Sequence, residues 1–488
     1  MVNISKSLYC NYVQCKKMVW LLKNKPEEYE EQKNERVLAN GNKVGDLARK
    51  YFGKYALVKY DKVLINMIME TKKYLKTDSI ICEASFKFDN LFASIDVLKI
   101  DDDGVNIYEV KSSTKVKDIY LDDASFQAYI LKKLGYKVKS VNIMHVNNEY
   151  IFDGKLDINK YFVIEDITDI SIEKETEIEE NVAELNKILD SNKEPDISVD
   201  EYCFEPYACP FFKYCTKHLP TPNIFDIYKL NKNIKYKLYK EGKYSYEDVQ
   251  DEKLTDNQRE QIDFELNNRE PKINKDKIKE LLDSLKYPLY FLDYETCQLA
   301  IPEVVGTRPF QVLPFQYSLH IIDKDGNMTH KEFLAESDDN DFVRHFAESL
   351  IKDVPGDGSV IIYNNSFEPA RNREIMDMYP EYKEDLEKIN NNIVDFMVPF
   401  RDRDYYMKEM KGSYSIKAVL PALYPNDPSL DYHNLPLVHN GEEASSIFLE
   451  LKDTPKDKQE EIRHGLLVYC ELDTLAMVKI YNKFKELV

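Results

Sequence analysis

The sequence predicts a multidomain α/β protein, on three observations. The chain has 488 residues, about three times an ordinary single-domain length. Two regions carry strand signals flanked by helical periodicity, one between residues 80 and 152 and one resuming at Pro288. Between them, residues 219–287 are rich in Lys, Glu and Asn, helical in period and poor in core residues. The expected organisation is a first unit over 1–218, a helical connector over 219–287 and a last unit over 288–488.

Taken in order, residues 4–24 read as an amphipathic helix, and 30–52 as another that ends near Gly53. Short alternating strands follow from 80 to 111, then a helix over 121–134 and a strand over 137–152. An acidic helix at about 173–191 precedes a Pro-containing stretch and a dense cysteine cluster at 203–215. In the connector, the run from Lys237 to Val249 is similar to a helix-hairpin-helix, whose main-chain amides bind phosphates; a plain helical spacer is the other reading. Beyond Pro288, strands give way to helices, and the last helix is expected over 461–487.

Composition narrows the function classes. Apolar residues at 43% and charged residues at 32% suit a packed globular chain and exclude a disordered one. No apolar run approaches the ~20 residues needed to cross a bilayer, and Met1 to Ser7 lack a secretory signal pattern. A cytoplasmic chain with no membrane partner is expected, so the eight cysteines should be reduced, as core residues or metal ligands. The net charge of −20 argues against a general nucleic-acid coating protein. It leaves room for an enzyme that clusters carboxylates around divalent cations.

The first constellation is Asp96, Glu109 and Lys111. Asp101 to Gly104 is a turn signal between two strand-like runs, and a hairpin centred there sets Asp96 opposite Glu109. Like charges facing across strands are unfavourable, and a divalent cation between them reverses the sign. Period two puts Glu109 and Lys111 on one face, where an ammonium could orient a water and stabilise charge on a phosphate. This pattern resembles the PD-(D/E)XK superfamily, in particular RecB-like nucleases: an Asp, a hairpin, then Glu109-Val110-Lys111. The resemblance implies a role for Gln127 on the following helix. Leu131 stands where those nucleases often have Tyr, and the stretch from Gly41 to Ala48 lacks their metal-binding His.

The second constellation is Cys203, Cys209 and Cys215, three soft ligands within thirteen residues that need a fourth. Cys15 is the first choice and Cys10 the second. Thiolates shielded by aromatics suit a 4Fe-4S cluster, with Zn²⁺ as the alternative. RecB-like nucleases that carry such a cluster are similar, with one Cys before the nuclease core and three after it.

The third constellation lies in the last unit. Leu289 to Thr296 is an apolar strand with Asp293 and Glu295 on one face, and burying two carboxylates is costly unless they bind a cation. Glu368 should sit in the first turn of a helix that follows a strand from Ser359; Asp395 ends another short apolar run. Tyr469 and Asp473 are four apart on a helix and share a face. In this order the set resembles the DEDD exonucleases of the RNase H-like fold, in the subtype whose third motif is Tyr-x-x-x-Asp. The resemblance implies that Asp293, Glu295, Glu368 and Asp473 hold two Mg²⁺ or Mn²⁺ ions, with Asp395 as an alternative to Glu368, and that Tyr469 orients a water. Arg308 and the aromatics after it either touch a substrate strand or pack as a hairpin.

The combination of these runs is similar to bacterial proteins of domain-of-unknown-function family 2779, over nearly the full chain. The expected function is that of a metal-dependent nuclease acting on nucleic acid, DNA ahead of RNA. It would trim 3′ ends in the last unit and have a second site in the first. A non-catalytic clamp or scaffold in the first unit is the alternative.

Overall fold

The structure, a computed structural model, describes residues 2–30 and 35–488. Two compact units divide the chain: Met1–Leu219 with Lys232–Gly242, and Pro220–Asn231 with Lys243–Val488. The architecture is mixed α/β, as the strand and helix signals predict. The stretch read as a separate connector is instead shared between the units. It is also richer in core than expected, since Tyr236, Leu238, Tyr239, Ile262, Phe264 and Ile278 are all buried. Those apolar residues are diluted among charges, so average composition hid them. After the helix Lys232–Lys240 the chain makes only a three-residue turn, Glu247–Val249, so a helix-hairpin-helix does not form.

In the first unit, β1 (Ile4–Ser5) leads into helices α1 (Lys6–Gln14), α2 (Lys16–Asn24) and α3 (Glu35–Tyr51). The expected helix over 4–24 is therefore broken at Cys15, which is extended at φ −157 and ψ 115. Of the helix expected over 30–52, residues 31–34 lie outside the described residues. The unit's sheet contains β2 (Ala56–Leu57), β3 (Ile80–Phe88), β4 (Leu91–Asp101), β5 (Gly104–Lys111), β6 (Val138–Val146) and β7 (Phe162–Asp166), adjacent in that order. The short β1 pairs in parallel with β4. The β4–β5 hairpin turns at Asp102-Asp103, with Asp101 paired to Gly104 and Val97 to Tyr108. Gly104 is required there, because a Cβ would meet the Lys137 carbonyl oxygen at 2.4 Å. Helix α5 (Asp118–Lys133) covers the sheet and makes the crossover to β6, which runs parallel to β5. Its buried Phe126, Ile130 and Leu131 pack with Ile95, Ile107 and Ile143.

The second unit is built on a five-stranded sheet. Its strands are β9 (Leu289–Gln298), β10 (Val312–Ile322), β11 (Met328–Leu334), β12 (Ser359–Ile362) and β13 (Ile393–Asp395), in the order β11-β10-β9-β12-β13. The pair β8 (Lys272–Ile273) and β14 (Tyr405–Tyr406) forms a separate ribbon. Strands β9, β10 and β11 are antiparallel, and β12 and β13 run parallel to β9. Being central, β9 is apolar on both faces: Tyr290, Leu292 and Tyr294 enter one core, Leu289 and Phe291 another. The last helix, Lys456–Leu487, lies across β9 and β10 and buries Leu466, Leu472, Ala476, Met477 and Ile480. The run after Arg308 packs as strand β10, and Gln316 Nε2 donates to the Leu466 carbonyl at 2.8 Å. Among the described residues no helix is long and apolar enough to cross a membrane.

Candidate functional site

Each unit gathers buried acids. In the second, period two on β9 puts Asp293 and Glu295 on the face that also carries Leu289 and Phe291. One turn of the last helix adds Tyr469 and Asp473. Carboxylate oxygens of Asp293, Glu295 and Asp473 all lie within 4.8 Å of one another. If ionised, each such pair repels by about 3 kcal/mol at an effective dielectric of about 20. Burial, and then the neighbouring charges of Asp473, Glu368 and Glu295, push the Asp293 carboxyl well above its usual range. Burial and Asp473 raise Glu295 to about 8. Burial raises Asp473 to about 6, with the Tyr432 hydroxyl and Lys417 opposing it. Tyr432 donates to Asp473 Oδ1 at 2.6 Å, and Lys417 Nζ donates to the Tyr469 hydroxyl at 3.3 Å.

Glu368 begins the helix Glu368–Met378 and is 3% exposed. Its Oε2 is buried without a hydrogen-bond partner, which costs about 1–3 kcal/mol. Burial, and then the charges of Asp395 and Asp473, raise this carboxyl to about 8. Asp395 differs. It accepts from the backbone N–H groups of Asn364 at 3.0 Å, Asn365 at 3.1 Å and Met397 at 2.9 Å. Both its oxygens thus hold the loop that leads to Glu368. Beside the cluster, Lys417, Tyr424, Asp431, Tyr432, His433 and His439 line a groove of about 600 Å³.

In the first unit, the Val110 N–H donates to Asp96 Oδ2 at 2.8 Å, and Asp96 stands one residue beyond the last β4–β5 pair, facing Glu109 as expected. Lys111 Nζ contacts Glu109 at 2.6 Å and Asp123 at 2.7 Å. Gln127 donates to Glu109 at 2.6 Å and to Asp123 at 3.0 Å. Lys6, which sequence reasoning missed, sits 3.0 Å from Glu109 and 3.6 Å from Asp96. Burial and the charge of Glu109 raise Asp96 to about 7. Glu109 is held below its usual range, because Lys111 and Lys6 outweigh its burial. Lys6, Asp96, Glu109 and Lys111 open on a cavity of about 950 Å³, also lined by Gly41, Gly45, Asp46, Arg49 and Glu83. Glu83 lies at the ladder position facing Asp96, in left-handed conformation at φ 58, and its carboxylate pairs with Arg49 at 3.0 Å.

The cysteines form a third locus. Cys15, Cys203, Cys209 and Cys215 line one small cavity with Met18, Leu21, Tyr202 and Phe211. Gln14 pins the cysteine loop to the end of α1 by donating to the carbonyls of Tyr202 and Tyr207, both at 2.7 Å. No three of the sulfurs lie within 4.8 Å of one another. Burial raises the Cys203 thiol to about 12 and the Cys209 thiol to about 11. Cys10 is elsewhere: the charged groups acting on it are Asp123, Lys111, Asp122 and Glu109.

The two units thus define a mixed α/β chain with two separate clusters of buried acids and a cysteine-lined cavity. Residues 290–415 match the family model described as "Domain of unknown function (DUF2779)". That stretch, shorter than the nearly full-length likeness expected, contains Asp293, Glu295, Glu368 and Asp395 and stops before Tyr469 and Asp473. An uncharacterized protein of Ureaplasma parvum is 27% identical over 229 residues, 43% of this chain and 33% of that protein. An uncharacterized protein of Mycoplasma pneumoniae is 25% identical over 230 residues, 43% of this chain and 34% of that protein. The chain spans about a third of the length of these curated relatives.

Proposed function

We propose that the second unit is a metal-dependent exonuclease of the DEDD type on an RNase H-like fold, trimming nucleic acid from its 3′ end. The carrying observation is the convergence of Asp293, Glu295 and Asp473 within 4.8 Å, beside a buried Glu368 with an unpartnered oxygen. A set of acids that raises its own proton affinity and leaves an oxygen unsatisfied has the chemistry of a hard-cation site. Two bound Mg²⁺ or Mn²⁺ ions would activate a water and stabilise the leaving 3′ oxygen. Asp293, Glu295, Glu368 and Asp473 would hold them. Tyr432 occupies Asp473 Oδ1 and so leaves Oδ2 as the ligand atom. Lys417 fixes the Tyr469 hydroxyl, which would orient the water. The adjoining groove, with Tyr424, His433 and His439, offers stacking surfaces for a terminal nucleotide. Three antiparallel strands followed by two parallel ones, with the acids on the central strand, support the fold assignment.

The test is degradation of 5′-labelled single-stranded DNA, and of the matching RNA, with Mn²⁺. A descending ladder supports the reading. A full-length product with both substrates overturns it.

A pH prediction follows from the raised carboxyls. Groups whose folded pKa is raised favour the fold while protonated, and that contribution is lost as pH rises through about 6 to 8. Cation binding must displace those protons at low pH and relieves repulsion at high pH. Mn²⁺ should therefore raise the melting temperature far more at pH 8.5 than at pH 5.5. Apparent affinity should climb about tenfold per pH unit for each proton released. A shift independent of pH in calorimetry would contradict this.

In the first unit we read Asp96, Glu109, Lys111 and Gln127 as a RecB-like nuclease site in which Lys6 occupies the space between the acids. Lys6 is a quarter exposed on a flexible stem, so it can swing aside, at a cost to metal affinity. Lys6→Ala should tighten Mn²⁺ binding at this site, measured by calorimetry in an Asp293→Asn background. Lys111→Ala should reduce internal cleavage about 10²–10³-fold and leave 3′ trimming intact. If Lys6→Ala changes neither binding nor cleavage, the first unit is a nucleic-acid-binding clamp. The four cysteines that line the small cavity would hold a 4Fe-4S cluster, with a single Zn²⁺ as the alternative.

A further inference from the structure

The last helix carries a second set of metal donors on the side of the sheet that meets β10 and β11. His320 on β10 and His330 on β11 are direct antiparallel partners, with ring centroids 4.5 Å apart. Glu471 approaches them from the last helix. A ring nitrogen of each histidine and a Glu471 carboxylate oxygen all lie within 4.8 Å of one another. His320 is buried, whereas His330 and Glu471 are half-buried, so the group is reachable from solvent.

The surrounding hydrogen bonds decide which nitrogens are free. The Thr474 hydroxyl reaches the Glu471 carbonyl at 3.0 Å, an oxygen that can only accept. With its proton on that carbonyl, Thr474 Oγ1, 2.8 Å from both His320 Nδ1 and Ser318 Oγ, accepts from each. The Ser318 proton is thereby committed to Thr474, so Ser318 Oγ, 2.9 Å from His330 Nε2, must accept from that nitrogen. In that arrangement His320 Nε2 and His330 Nδ1 are the ring nitrogens that these hydroxyls do not engage. A ligating histidine ordinarily donates its other ring N–H to an oxygen acceptor, the part that Thr474 and Ser318 would play here.

We propose that His320, His330 and Glu471 bind one borderline divalent transition-metal ion, Zn²⁺ by donor type, at a site separate from the carboxylate cluster. Two imidazoles and one carboxylate suit Zn²⁺ and leave room for water as a fourth ligand, whereas Mg²⁺ prefers oxygen donors alone. The bound ion would tie the β10–β11 hairpin to the helix that carries Tyr469 and Asp473.

The full chain, free of any polyhistidine tag, should be titrated with Zn²⁺ against a chromophoric chelator in excess Mg²⁺, alongside His330→Ala and Glu471→Gln. Each variant, with circular dichroism unchanged, should take up one equivalent fewer than the wild type; equal stoichiometry in all three overturns the proposal. Anomalous diffraction at the zinc edge from the unmodified protein provides a measurement independent of variant folding. A peak between His320, His330 and Glu471 supports the site. Peaks confined to the cysteines or to the Asp293 cluster overturn it.

Discussion

Asp293→Asn is expected to abolish the proposed 3′ trimming while making the metal-free protein more stable. The two effects share one cause. Asp293 is surrounded by Asp473, Glu368 and Glu295, and burial together with those charges raises its proton affinity well above the ordinary carboxylate value. A neutral amide of the same shape removes one member of the repelling set. At pH 8, where neighbours raised only to about 8 are ionising, the gain should be on the order of a few kcal/mol. For a unit of this size that corresponds to roughly 2–4 °C per kcal/mol. The same substitution removes the anionic oxygen best placed to bind cations, and trimming should fall by at least about a thousandfold. Thermal unfolding in a chelator, beside the labelled-strand assay, reads both. A variant that loses activity and also stability would mean that Asp293 is held by structural bonds. Retained trimming would remove the acids from the reaction.

The contrast between the acid sites explains what was legible in the sequence. Asp293, Glu295, Tyr469 and Asp473 interrupt apolar runs at strand or helix spacing, so periodicity alone puts them on shared faces. The hairpin turn at Asp102-Asp103 likewise fixes Asp96 against Glu109, because register follows from the turn. Lys6, Asp123, Lys417 and Tyr432 were missed for different reasons. Lys6 and Lys417 come from distant segments and look like ordinary surface lysines until the fold closes. Asp123 had a local signal, one helical turn before Gln127, which its neighbour Asp122 obscured. Tyr432 lies in an irregular stretch where no period assigns a face. Glu368 and Asp395 look alike in the sequence; backbone amides meet both Asp395 oxygens only once the loop at Asn364 folds, while Glu368 Oε2 is left without a partner.

If the cysteine cavity holds the proposed iron–sulfur cluster, Cys209→Ser is expected to remove it and lower the first unit's melting temperature by on the order of 10 °C. The region from 197 to 219 has little regular structure of its own, only the turn Glu201–Cys203 and the short helix Phe212–Thr216. The Gln14 bonds hold it to the start of the chain, and the segment just before it is held there by the ion pair between Lys17 and Glu194 at 2.8 Å and by Trp20 Nε1 donating to the Ser191 carbonyl at 2.9 Å. Partly exposed contacts of this kind contribute about 1 kcal/mol each. A metal group bridging Cys15 to Cys203, Cys209 and Cys215 closes a loop spanning the whole first sheet, and ligation of that kind contributes folding energy directly. Burial keeps the four thiols protonated without it, with Cys203 at about 12 and Cys209 at about 11, so loading must release protons. Anaerobic protein should be brown and contain four irons and four sulfides per chain, falling to none in Cys209→Ser. Cys10→Ser should leave both iron content and melting temperature unchanged, because that thiol belongs with Asp123 and Lys111. One zinc per chain lost in Cys209→Ser would replace the cluster with a single ion. Unchanged metal and melting temperature would leave the four cysteines as core residues and assign the joining of the two segments to the Gln14 and Lys17 contacts alone.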